Sequence, residues 1–159
     1  MSPRLQRLRA EIKSDSSAFE SRLDELTRID LSTPSEANLA QAAVALHHAY
    51  GAIESALSRV ARTIDGGLPE GADWHQALLE SMRLDIDSVR PAVLSAESVA
   101  LLRPLLAFRH FFRHAYAASW DAERLVKLRA DALAARTPLR TDFARLDAIL
   151  RDAASSDGS

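Results

Sequence analysis

Residues 35–60 read SEANLAQAAVALHHAYGAIESALSRV, and this stretch decides the fold. Leu39, Ala43, Leu46, Tyr50, Ile53, Leu57 and Val60 step by three and four residues, and Ile64 continues the series. An apolar stripe with that spacing is one face of a helix about seven turns long. Ser35 stands where an N-cap belongs, with a side chain able to accept from the free amides of the first turn. No segment of the chain sustains the period-two alternation of a half-buried strand, so the expectation is all-α.

Working outward, Ser2 followed by Pro3 has the form of an N-cap and first helical residue. Leu5, Leu8, Ile12, Phe19, Leu23, Leu26 and Ile29 mark one face of a first long helix, ended by Leu31-Ser-Thr-Pro-Ser35. Beyond the central stripe, Asp65-Gly-Gly-Leu-Pro-Glu-Gly71 is a loop. Asp73 with Gln76 forms a capping-box pattern for a shorter helix carrying Trp74, Leu78, Leu79, Met82 and Ile86, closed by Val89-Arg-Pro91. Ser95, with Glu97 or Ser98, starts the next helix, in which Pro104 predicts a kink or a fresh start. Trp120-Asp121 marks a boundary before Leu125, Leu128 and Leu133, and Thr137-Pro138 predicts a further helix carrying Leu139, Phe143, Leu146 and Leu150. The tail, residues 153–159, is small and polar and is expected to be disordered. The predicted architecture is a helical bundle built on two long antiparallel helices, with shorter helices beside them, in one domain over residues 1–152.

Composition narrows the chemistry. With no cysteine among 159 residues there is no disulfide, no thiolate nucleophile and no Cys-type zinc site. The net charge of −2 argues against a generally basic nucleic-acid coat while leaving room for a local basic patch. The N-terminal segment lacks the apolar run of a signal peptide and no window suits a membrane span, so no membrane association and a cytoplasmic location are the expectations. No cofactor is implied. His47-His48 is a poor metal pair, because adjacent helical side chains diverge by about 100°. The long helices carry no Glu-x-x-His pair of a carboxylate metal protein.

The densest chemistry lies in Phe108-Arg-His-Phe-Phe-Arg-His-Ala-Tyr116. On a helix, Leu101, Leu105, Phe108, Phe112 and Ala115 form the core-facing stripe. Relative to Arg109, Arg113 falls at about 40°, Tyr116 at about −20°, and His110 and His114 at about 100° and 140°. Arginine and histidine thus take different flanks, both off the core, and a two-fold dimer would gather them around one groove. Arginine and histidine are numerous enough for a bare Arg-x4-His pair to be near chance, but the chain has only two tyrosines, so Arg-x4-His-x-Tyr is specific.

Arg109 through His114 to Tyr116, late in an all-α chain of this length, resembles the Arg-x4-His-x-Tyr signature of HepT-type toxins in the HEPN ribonuclease superfamily. His47-His-Ala-Tyr50-Gly-Ala-Ile-Glu54, Asp73-Trp-His-Gln-Ala-Leu-Leu79 and Asp121-Ala-Glu-Arg-Leu125 also resemble parts of such proteins, so the resemblance spans roughly residues 35 to 150. It implies a HEPN-like homodimer that cleaves RNA without metal, at a site shared between subunits, with tRNA and mRNA as candidate substrates. It also implies a cognate minimal nucleotidyltransferase antitoxin that transfers AMP onto the motif tyrosine. By position, Arg109 would stabilise the phosphate, His114 would carry the proton and Tyr116 would be modified, with His110, Arg113 and Glu54 in support.

The residue types suit that chemistry on their own. RNA supplies a 2′-hydroxyl nucleophile, and cleavage then needs a base, an acid for the 5′-oxygen and positive charge on the phosphate. Histidine titrates near neutral pH, and arginine stays charged and grips two oxygens at once. Blander readings stand beside these: a solvated or dimer-packing face for the basic cluster, an interface tyrosine for Tyr116, a surface ion pair for Glu54, a helix-start residue for His75 and a core plug for Trp120. The alternative function is a catalytically inactive dimerisation module that uses the basic groove to dock a partner protein.

Overall fold

Ser35 does cap the central helix: its Oγ accepts from the Asn38 amide at 3.1 Å. The computed structural model describes residues 2–33, 35–114 and 119–156. Pro34 of the first connection, Ala115 of the core-facing stripe, Tyr116 and residues 157–159 of the tail lie outside the described residues. Among the described residues five α-helices follow one another: α1 Pro3–Arg28, α2 Glu36–Val60, α3 Trp74–Ser81, α4 Ala96–His114 and α5 Ala122–Ser156. A π-helical turn, Ala61–Asp65, extends α2 and ends at Gly66, whose φ of 89° is the left-handed conformation that glycine adopts without strain. Among the described residues there is no strand, and no helix is long and apolar enough to cross a membrane.

Helix α2 is the axis of the bundle. It packs against α1, α3, α4 and α5. Its alanines at 42, 43, 45, 49 and 56 are fully buried, alongside Leu46, Tyr50, Ile53, Leu57 and Val60. A helix apolar on most sides must be covered on most sides, and alanine lets the covering helices approach closely. Side-chain pairs give the directions. Arg59 near the end of α2 meets Asp15 of α1 at 2.8 Å, and Arg9 of α1 meets Asp147 of α5 at 2.7 Å, while Arg136 of α5 meets Asp24 of α1. Thus α1 runs antiparallel to both α2 and α5.

The fresh start offered at Pro104 and the new helix expected at Pro138 are corrected. α4 is one helix through Pro104, and α5 is one helix of 35 residues through Pro138, with no fresh start at either. A helical proline forfeits one backbone hydrogen bond and crowds the preceding turn, at about 3 kcal/mol or more. Leu102, Leu105 and Phe108 are buried around Pro104, and Ala135, Leu139 and Leu146 around Pro138. Burial of several such side chains, at about 1.5–3 kcal/mol each, outweighs the local loss. The tail is corrected as well: residues 153–156 continue α5, Ala154 is buried, and its carbonyl accepts from the Ser2 amide at 3.1 Å.

The capping box at Asp73 and Gln76 does not form: Asp73 is the N-cap of α3, but its side chain makes no cap bond. α3 also stops at Ser81, so Met82 is buried just past its end and Ile86 lies in the following turn, bridged to Arg90. Arg90 holds this connection to the end of α2. Its guanidinium meets Asp65 through two bonds of 2.7 and 2.9 Å, and it also donates to the carbonyls of Ser81, Leu84 and Pro91. α4 is tied down similarly at its start, where Asp142 of α5 accepts from the Ser95 amide at 2.9 Å and the Ser98 hydroxyl at 2.6 Å. The short helix α3 and the long helix α4 are therefore fixed beside α2.

Candidate active site

A carboxylate on the buried side of a helix needs partners, because removing it from water costs several kcal/mol. Glu54, one residue past the core position Ile53, is 5% exposed. Both of its oxygens are engaged: Oε1 accepts from Arg109 Nη1 of α4, and Oε2 lies 2.8 Å from His75 Nδ1 of α3. Three helices thus meet at one carboxylate. The surface ion pair considered for Glu54 is replaced by a buried one, and His75, expected as a bare helix-start residue, is its second partner. A carboxylate next to a core position was the available sequence signal, since such a group demands cations from elsewhere in the chain.

Arg109 is only partly spent on this contact. A guanidinium has five N–H donors, and Arg109 Nε finds no hydrogen-bond partner among the described residues. The side chain is 21% exposed and lines a cleft together with His75, Leu106, His110, Arg113 and His114. The expected separation of arginine and histidine flanks is therefore corrected: one protomer brings Arg109, Arg113, His110 and His114 to the same cleft. On the facing wall, α3 contributes His75. The cleft adjoins a hollow of about 430 Å³ between α3 and α4, bordered by Asp73, Gln76, Arg103 and Leu79.

The histidines differ in setting. His114 and His110 are exposed, with ring centroids 4.6 Å apart, and His114 Nδ1 lies 2.8 Å from the His110 carbonyl oxygen. A carbonyl can only accept, so that bond places a proton on Nδ1 and leaves Nε2 to the cleft side chemistry. His75 stacks on Trp74 with ring centroids 3.7 Å apart, which holds the ring that Glu54 orients. His47 of α2 stacks on Phe112 at 4.4 Å and its Nδ1 is buried without a partner among the described residues. Burial, and then the charge of Arg109, pushes the His47 imidazole below its usual pKa, so it is neutral at neutral pH. Tyr50, fully buried beside the pair, has its phenol pushed far above the usual range by burial and then by Glu54. Trp120 packs on Phe112 at 5.6 Å at the edge of the core, as expected of a plug.

Fold and site together define an all-α bundle with an arginine–histidine cleft between its third and fourth helices, backed by Glu54 of the second. The family model described as HepT-like protein matches residues 41–150, which contain every one of these side chains. The chain belongs to this HepT-like family, in the HEPN superfamily. Comparison with curated proteins and with solved structures finds no match.

Proposed function

We propose that the protein is the toxin of a toxin–antitoxin pair, a homodimeric, metal-independent endoribonuclease held inactive by AMP transfer onto Tyr116. The observation that carries this reading is the convergence of Arg109, Arg113, His110 and His114 on one cleft of a HepT-like chain. Arg109 binds the scissile phosphate with the donors that Glu54 leaves free, and strengthens that grip as charge builds on phosphorus. His114 carries a proton, and His110 and Arg113 add positive charge and a second titratable group on the same rim. The partner that supplies AMP is a minimal nucleotidyltransferase antitoxin. A bulky anion on Tyr116, two residues beyond His114, would neutralise the rim and obstruct RNA.

Purified dimer should cleave RNA, tRNA and mRNA included, in the presence of EDTA, and His114→Ala should lose cleavage while remaining folded. Equal cleavage by the mutant would falsify the assignment. Coexpression with a nucleotidyltransferase encoded beside this gene should add AMP masses to the protein and none to Tyr116→Phe; unchanged mass of the wild type contradicts the antitoxin half of the reading.

A further inference from the structure

His75, which lines the cleft, is held by Trp74 against its face and by the Glu54 carboxylate at Nδ1. We infer that His75 is the general base of the cleft, taking the 2′-hydroxyl proton of the RNA whose phosphate Arg109 binds; the inference rests on the ribonuclease reading above. Because the Glu54 carboxylate can only accept, the Nδ1 bond fixes the tautomer with its proton on Nδ1 and its lone pair on Nε2. The ring borders the same cleft as Arg109, Arg113 and His114. A carboxylate behind an imidazole both orients it and stabilises the imidazolium that forms when it accepts a proton. His114 has no such carboxylate; its Nδ1 contact is a backbone carbonyl.

In the assigned step, Nε2 of His75 takes the 2′-hydroxyl proton and the 2′-oxygen bonds to phosphorus. The bond from phosphorus to the 5′-oxygen breaks, leaving a 2′,3′-cyclic phosphate, and protonated His114 gives its proton to the departing oxygen. The two histidines exchange protonation states and no further reactant is needed. One carboxylate, Glu54, therefore aligns both the base and the phosphate-binding guanidinium, and it acts through them as a positioning residue. The charged and titratable groups around His75 are Glu54 from α2, Arg103, Arg109, His110, Arg113 and His114 from α4, and Asp73 at the N-cap of its own helix.

The test is His75→Gln in the full-length dimer, because glutamine can keep an N–H for Glu54 but cannot take a proton. Its kcat should fall on the order of 10²–10⁴-fold with KM little changed, and the loss of rate toward low pH that a histidine base gives the wild type should be missing from its profile. A folded His75→Gln that cuts at the wild-type rate overturns the inference while leaving the ribonuclease reading intact. So does a slowed variant that retains the wild-type low-pH limb, since that is the mark of a structural role. Should His75→Gln fail to melt cooperatively, the same readings on His75→Asn decide. A wild-type dimer that cuts no RNA removes both readings together.

Discussion

Two buried arginine–carboxylate pairs stand at opposite ends of α3, and they are built differently. At Arg90 and Asp65 the arginine side chain is 4% exposed and its donors are shared among a carboxylate and three backbone carbonyls. At Arg109 and Glu54 the carboxylate is the buried partner, the arginine is open to a cleft, and Nε is unpaired among the described residues. The first pair is closed and ties chain segments together. The second faces two ways, toward a core that holds it and toward a space where an anion fits. An ion pair whose arginine reaches a cleft can bind something else there, and one enclosed with every donor satisfied cannot.

Substitutions at the two arginines should separate these roles. Arg109→Ala should lower RNA cleavage on the order of 10²–10³-fold, the scale of losing one preorganised donor to a charged transition state, while the dimer still melts cooperatively. Each substitution removes one partner of a buried pair and costs stability, about 3–5 kcal/mol for such pairs, read as a lower midpoint in urea, but Arg90→Ala should leave the activity of the remaining folded protein intact. If Arg90→Ala abolished cleavage without loss of stability, the contrast between the pairs would be broken.

A smaller effect sharpens the same contrast. Tyr50 Oη is buried beside Glu54 without a hydrogen-bond partner among the described residues, so Tyr50→Phe removes an unsatisfied group at little cost in packing. Its stability should stay within about 1 kcal/mol of wild type, on the side of a gain; a marked loss would show that the hydroxyl has a partner in solution.

The smallest expected effect lies at the surface. Asp30 is held at about 2 by the Ser32 hydroxyl and amide and the Thr33 hydroxyl, against 3.8 for the free side chain. A depressed carboxylate adds stability above its unfolded pKa and loses it as pH falls toward the folded one. Asp30→Asn should therefore flatten the acid side of the stability profile between about pH 4 and 2, and an unchanged profile contradicts the assignment.

The helices were legible because apolar spacing is a local signal: the stripe from Leu39 to Val60 and the caps at Ser35 and Ser95 hold as read. The break offered at Pro104 and the one expected at Pro138 do not occur, because local rules speak of breaks whereas buried apolar side chains on both sides keep the helices whole. Among the site residues, Arg109 and His114 share one helix and could be found by spacing. His75 and Arg90 were missed because their partners, Glu54 and Asp65, are 21 and 25 residues away, and no periodicity records a polar contact between elements.

The ends of the cut RNA test the central claim most directly. Wild-type dimer incubated with tRNA in EDTA should leave 2′,3′-cyclic phosphate and 5′-hydroxyl termini, the products of an attack by the 2′-oxygen with histidine proton transfer. Fragments ending in 3′-hydroxyl and 5′-phosphate, or no fragments from a folded dimer, would contradict an active site built from Arg109 and His114.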